Sequence, residues 1–207
     1  MPVRCACGVR AHGGGGRSDG DRAAGPLLLR KRRRHDPVGG GECLLQPDFT
    51  VELLQLAKDA GLHTTVDTSG CVPWENLERT LAYTDLYLYD VKTLDSEAHR
   101  RWTGAGNERI QKNLRRLAQT GREIWLRVPV IPDINDTDDE MAEIASLAAS
   151  LPGVTTVTLM PYHTLGKSKY PTLGLACPYQ TEKTIPRRKL DEWNQRFRSL
   201  GLDANGG

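Results

Sequence analysis

The chain has 207 residues, a formal net charge of +2, 38% hydrophobic and 26% charged residues. That is enough for one domain with its own core, in a composition ordinary for a water-soluble chain. No run of about 18 apolar residues occurs, which excludes a helical membrane span, and Leu27-Leu28-Leu29 is too short for a signal-peptide core. Five cysteines, at 5, 7, 43, 71 and 177, follow no regular spacing and suit a reducing, cytoplasmic setting.

The charge is unevenly divided. Residues 1–38 hold nine Lys and Arg against three Asp, whereas residues 39–207 hold nineteen against twenty-three Asp and Glu. Gly13 to Gly16 are four consecutive glycines, and Arg32, Arg33 and Arg34 follow Arg30 and Lys31. Neither helical nor strand periodicity is present, so 1–38 is expected to be disordered and 39–207 to form the domain. A nucleic-acid-binding arm is the weaker account of this Arg/Gly bias, because no aromatic residue is interleaved for base stacking.

From Glu42 onward the pattern becomes regular. A helix is predicted over about 48–60, stopped by Gly61. A short strand, Leu62–Val66, leads to Asp67-Thr68-Ser69-Gly70, and Pro73-Trp74 open a helix through about Tyr83. Leu86 to Tyr89 form an apolar strand running into Asp90 and Lys92. Asn107 is expected to cap a helix with Ile110, Leu114 and Leu117 on one face. Glu123–Ile131 is a strand with Arg127 in its middle, and Thr137 with Glu140 makes a capping box for a helix burying Met141, Ile144, Leu147 and Ala148. Val154–Met160 is the last clear strand, exiting at Pro161-Tyr162-His163. A long loop, 164–185, precedes a final helix, 186–200, with Leu190, Trp193, Phe197 and Leu200 on one stripe. Strands alternating with helices imply a parallel sheet, and four strands make a partial barrel or an open sheet.

Polar groups stand at successive strand exits: Glu42 after Gly39-Gly40-Gly41, Asp67-Thr68, Asp90 with Lys92, and His163. In a parallel arrangement all of these converge on the rim where such folds place their chemistry. Carboxylates can hold an amine, Lys92 and Arg127 an anion, and a glycine turn lets backbone approach a ligand closely. An amino-acid-like ligand fits this set better than a phosphate, since neither a Walker loop nor a G-x-G-x-x-G after a strand is present.

Gly40-Gly41-Glu42, Asp67-Thr68-Ser69-Gly70, Asp90-Val91-Lys92 and Met160-Pro161-Tyr162-His163 with Gly166-Lys167 resemble, in order and spacing over about 39–200, the radical S-adenosylmethionine activating enzymes of glycyl-radical enzymes, such as the pyruvate formate-lyase activating enzyme. The resemblance implies a partial (β/α) barrel of the radical SAM type and an oxidoreductase using S-adenosylmethionine and a [4Fe–4S] cluster. The cluster is held by a C-x-x-x-C-x-x-C loop, and the 5′-deoxyadenosyl radical takes hydrogen from a partner glycine. It also implies contacts of Gly40, Gly41 and Glu42 with the methionyl amine, and of Lys92, Arg127 and His163 with the carboxylate and ribose side. Asp67, Thr68 and Asp90 would form a monovalent-cation site. The implied partners are a glycyl-radical enzyme and reduced flavodoxin or ferredoxin as electron donor.

The chain departs from that pattern at its start. The cluster loop is missing, Cys5 and Cys7 are spaced C-x-C, and the barrel's first strands are absent, so an inactive product is expected. A segment such as Gly-Pro-Phe-Tyr-Tyr-Glu-Ser-Gly-Gly-Gly, written in GC-rich codons and translated one base out of register, gives Pro-Leu-Leu-Leu-Arg-Lys-Arg-Arg-Arg-His, which is Pro26–His35. Residues 1–38 therefore read as an out-of-frame leader. The lost strands would expose the sheet edge at Leu62–Val66 and uncover the first helix. Two other functions suit the same rim: a Schiff-base lysine enzyme of the aldolase type built on Lys92, or a partner-binding remnant without catalysis.

Overall fold

The computed structural model describes residues 37–38, 41–163, 179 and 181–206. Among these, six strands form one wholly parallel sheet in sequential order: β1 (Pro37–Val38), β2 (Thr65–Thr68), β3 (Leu86–Asp90), β4 (Glu123–Val130), β5 (Val154–Pro161) and β6 (Asp203–Asn205). The helices between them are α1 (Pro47–Asp59), α2 (Trp74–Glu78), α3 (Ser96–Thr103), α4 (Glu108–Ala118), α5 (Asp138–Ser150) and α6 (Arg187–Ser199). The sheet ends at β1 and β6 and stays open, a partial barrel of the expected kind.

Strand alternation separates two faces. Along β4, Ile124, Leu126, Val128 and Val130 are buried, while Trp125, Arg127 and Pro129 remain partly open. Tyr87 and Tyr89 of β3 are fully buried. Their hydroxyls reach Thr80 Oγ1 at 2.8 Å and the Ile110 carbonyl of α4 at 2.8 Å, which places the helical layer on that face. Asp67, Asp90 and Arg127 alternate with these side chains and belong to the half-open face.

Several expectations are adjusted by side chains that bond out of turn. The second strand runs Thr65–Thr68 rather than Leu62–Val66. Asp85 takes the Thr64 amide at 2.9 Å and the Lys58 ammonium, so the chain joins the ladder only after Thr64. The helix expected from Trp74 to Tyr83 breaks into α2 and a 3₁₀ turn, Leu81–Tyr83. Thr80 stands at the break, its hydroxyl bonded back to the Leu77 carbonyl at 2.7 Å. Asn107 does not cap α4 with its side chain; its amide donates to the Thr93 carbonyl instead, at 2.8 Å. Only half of the capping box forms. Thr137 Oγ1 accepts from the Glu140 amide, but the Glu140 carboxylate turns to the Leu94 amide at 2.7 Å.

Helix α3 was not expected, although Asp95 accepts from the Glu97 and Ala98 amides and Gly104 follows the helix, both readable signals. Strand β6 is too short for periodicity to betray it. Leu200 lies 46% exposed rather than on the buried stripe of Leu190, Trp193 and Phe197. At the other end, Pro37 and Val38, the last two residues of the segment 1–38, pair in parallel with Thr65 and Val66 and cover part of the edge expected to be bare. Residues 1–36, most of the loop 164–185, and Cys5, Cys7 and Cys177 lie outside the described residues.

Candidate functional site

The parallel sheet brings the carboxyl ends of its strands to one rim, where an arginine is clasped by two aspartates. Arg127 lies opposite Asp90 in the β3–β4 register. Its Nε donates to Asp90 Oδ1 at 2.9 Å and its Nη2 approaches the same oxygen at 2.7 Å. Its Nη1 donates to Asp67 Oδ2 at 2.9 Å, and its Nη2 also bonds Asp67 Oδ1. Lys92 Nζ stands 3.5 Å from Asp90 Oδ2. All three members of the clasp are about three-quarters buried, so their charges are poorly screened.

Burial pushes the Asp67 carboxyl above its ordinary value, further than Arg127 draws it down, and the nearby Asp90 and Glu42 carboxylates add to the rise. Burial works against the charge of Arg127 as well, but Asp90 and Asp67 more than offset it and hold the guanidinium above its usual value. Two carboxylates thus share one arginine, a configuration that favours a second cation nearby.

Glu42 is held at the exit of β2, next to Asp67. It caps the short 3₁₀ turn Cys43–Leu45 through the Leu44 amide and accepts from Thr68 Oγ1 at 2.8 Å, the Ser69 amide at 3.0 Å and Ser69 Oγ at 2.8 Å. Thr68 is buried, its hydroxyl turned toward Glu42 and the Gly70 amide. Gly41 precedes this group with φ +70, and a Cβ on it would meet nothing within 4 Å, which leaves room beside the backbone. Gly40, read with it as a binding residue, lies outside the described residues. His163 is exposed two residues after β5.

The structure therefore gathers Asp67, Asp90, Lys92 and Arg127, ties Glu42 to Thr68, and leaves His163 at the outer edge. Sequence patterns missed three residues that position this group. Ser69 supplies two of Glu42's donors. Asn135, buried, donates to the Lys92 carbonyl at 2.6 Å and the Pro129 carbonyl at 2.7 Å, fixing the exits of β3 and β4 together. Asn113, also buried, donates to the Gly70 and Val72 carbonyls, each at 2.9 Å. A single buried asparagine leaves no periodic trace, so only the turn-like Pro132-Asp133-Ile134-Asn135 hinted at one of them.

The described residues do not fit an iron–sulfur cluster. Among them no three His, Cys, Asp or Glu side chains gather as a metal site. Cys71 is exposed, and Cys43 donates its thiol to the Asp67 carbonyl at 3.6 Å. Burial, with Glu42 and Asp67 beside it, pushes the Cys43 thiol up to about 12, far from the thiolate that binds iron.

An open, parallel βα sheet with a charged carboxyl-end rim is the architecture of radical SAM proteins, and the radical SAM superfamily model matches residues 29–147. The pyruvate formate-lyase-activating enzyme of Clostridium pasteurianum is 37% identical over 183 residues, covering 84% of this chain and 76% of that protein. The (2S)-3-sulfopropanediol dehydratase activating enzyme of Klebsiella oxytoca is 39% identical over 73% of this chain, which spans about half (48%) of that protein's length. Among solved structures, a domain of a pyruvate-formate lyase-activating enzyme from Bacteroides vulgatus ATCC 8482 aligns with a TM-score of 0.70 at 27% identity, over 84% of this chain and 98% of that one. The chain belongs to the radical SAM superfamily, in the family of activating enzymes of glycyl-radical enzymes.

Proposed function

We propose that this chain is the S-adenosylmethionine-holding part of an activating protein for a glycyl-radical enzyme, and that in this form it does not cleave its ligand. The arginine clasped between Asp67 and Asp90 carries the proposal. Three carboxylates at the rim, Glu42, Asp67 and Asp90, face two cations, Arg127 and Lys92, which leaves an excess of negative charge. S-Adenosylmethionine bears an ammonium and a sulfonium against one carboxylate, and so complements that excess. Its cationic groups would take up the aspartates as its carboxylate draws on Lys92 and Arg127. Gly41 leaves space at the Glu42 side for the amine, and His163, exposed after β5, is assigned the ribose by the family resemblance alone. Asp67, Thr68 and Asp90 remain the proposed monovalent-cation site, with the Thr68 hydroxyl required to leave Glu42 in order to join it.

The partner in this reading is a glycyl-radical enzyme, with reduced flavodoxin or ferredoxin as the family's donor, in a cytoplasmic setting. No helix among the described residues is long and apolar enough to cross a membrane. A Schiff-base role for Lys92 is less well supported, because its side chain is 39% exposed and its amine sits beside Asp90, not in the dry pocket that makes such an amine nucleophilic.

We also infer that the leader read over residues 1–38 is out of frame only ahead of the matched and paired residues, which begin at 29 and include the strand Pro37–Val38, and that it replaces the part of the family that holds the cluster. Sequencing the gene decides this: nucleotides that encode no plausible strand in the shifted frame would end it. Anaerobic reconstitution with iron and sulfide tests the functional statement. The expected result is no cluster absorbance band and no 5′-deoxyadenosine; formation of 5′-deoxyadenosine would overturn it.

A further inference from the structure

The side chain of Lys92 and its backbone are held very differently. The ammonium stands 3.5 Å from Asp90 Oδ2, longer than a close hydrogen bond, and the side chain is 39% exposed. The backbone around it is bonded residue by residue. The Val91 amide donates to the Arg127 carbonyl at 2.9 Å. The Lys92 carbonyl accepts from Asn135 Nδ2 at 2.6 Å, and the Thr93 carbonyl from Asn107 Nδ2 at 2.8 Å. The Leu94 amide donates to Glu140 Oε1 at 2.7 Å, and the Leu94 carbonyl accepts from Gln111 Nε2 at 3.1 Å. A flexible side chain hung from a fixed backbone reaches only the space its anchor allows.

Asn135 is the member of this set that ties Lys92 itself to the strand of Arg127. It is 3% exposed, its Nδ2 also donates to the Pro129 carbonyl at 2.7 Å, and its Oδ1 accepts from the Ile131 amide at 2.7 Å. Pro129 stands two residues beyond Arg127 on the same face of β4, so one buried amide sets the spacing between the anchors of the rim's two cations.

An unusual turn delivers Asn135. Asp133 has φ +60 and is the one non-glycine residue with positive φ among those described. Such a backbone is strained for a residue with a Cβ and persists where its surroundings over-determine it. Here the Asp133 amide donates to Asp136 Oδ1 at 2.8 Å, and Lys183 Nζ donates to both Asp133 carboxylate oxygens, at 2.8 and 2.7 Å. Tyr179 Oη donates to the Pro132 carbonyl at 2.5 Å. The inward end of this strained turn is the amide that holds Lys92.

We propose that the turn 132–135 is the positioning element for Lys92. Through Asn135 it aims the ammonium at the ligand's carboxylate, and so gives the rim its preference for an amino-acid group over a simple amine. The inference rests on the reading that Lys92 meets that carboxylate; Asn135 and Asp133 act through Lys92 and are positioning residues.

The test is equilibrium dialysis of the full chain with S-adenosylmethionine and with its decarboxylated form, which keeps the ammonium and the sulfonium and lacks the carboxylate. The parent is expected to prefer S-adenosylmethionine about tenfold, as one hydrogen bond to a charged group would give. Asn135→Ala should cut that preference to about threefold or less and leave affinity for the decarboxylated form within about twofold of the parent's. In a Lys92→Ala background it should add no further loss. Asp133 is exposed, so variants there leave the core intact. Asp133→Gly accepts the left-handed backbone and should keep the preference, whereas Asp133→Val, β-branched, resists it and should lose the preference. A preference unchanged in Asn135→Ala and Asp133→Val overturns the proposal. So does an equal loss of affinity for both compounds, the mark of a merely structural role. A parent chain that binds the two compounds alike contradicts instead the carboxylate contact of Lys92, and the positioning role with it.

Discussion

Arg127→Ala is expected to destabilise the protein by about 2–3 kcal/mol at neutral pH. Removing one partner of a buried ion pair costs about 3–5 kcal/mol because the remaining charge is stranded, and the side chains here keep about a fifth to a quarter of their exposure, which lowers that figure. The substitution would leave Asp67 and Asp90 facing each other across a gap without their shared cation. Asp67→Asn in the same chain should recover more than half of the loss by removing the repulsion. A loss under about 1 kcal/mol, or no coupling between the two substitutions in a denaturation cycle, would show that the clasp is not a structural unit.

The pH dependence has a definite sign. The Asp67 carboxyl is raised above its ordinary 3.8 in the folded state. The native state therefore binds that proton more tightly than the unfolded chain, and the contribution is complete below 3.8 and lost as pH rises through the folded value. Stability of the parent chain relative to Asp67→Asn should fall across that window.

Gly70→Ala should have an effect at least as large, about 2–4 kcal/mol from a left-handed backbone and an overpacked core combined. Gly70 has φ +69, and a Cβ there would overlap Tyr89 Oη and Cζ and lie 2.8 Å from Tyr89 Cε2. Tyr89 cannot yield cheaply, since it is fully buried and its hydroxyl donates to the Ile110 carbonyl at 2.8 Å. Its displacement would also disturb the turn that presents Ser69 to Glu42. Thermal melting measures the loss. Shortening the neighbour in a Gly70→Ala/Tyr89→Leu chain should restore part of it, and an unchanged melting temperature in the single variant would contradict the packing described.

The sequence was most informative where periodicity and stop signals agreed. α4, α5 and α6 lie where their apolar faces placed them, α1 lies ahead of its Gly61 stop, and β3, β4 and β5 are long enough to alternate. It was least informative where one side chain decided a boundary. Asp85 delays β2 to Thr65, Thr80 divides the helix after Trp74, and Asn107 and Glu140 bond across the fold instead of capping their own helices. At the rim, the residue types and their strand-exit positions were legible, and the parallel order brings Asp67, Asp90, Lys92 and Arg127 together. What could not be read was their internal pairing. Nothing local to Arg127 announces that it spans β3 to reach Asp67, sixty residues away in the chain, or that Glu42 is held by Thr68 and Ser69.

The central question is whether the rim holds a ligand carrying both an amino-acid group and an extra positive charge. Equilibrium dialysis of the full chain with S-adenosylmethionine and, in parallel, with S-adenosylhomocysteine, which lacks the sulfonium charge, measures this directly. Saturable one-site binding of S-adenosylmethionine is predicted, several-fold tighter than that of the homocysteine compound and weakened by Lys92→Ala. Equal affinity for the two compounds, or no saturable binding of either, would contradict it.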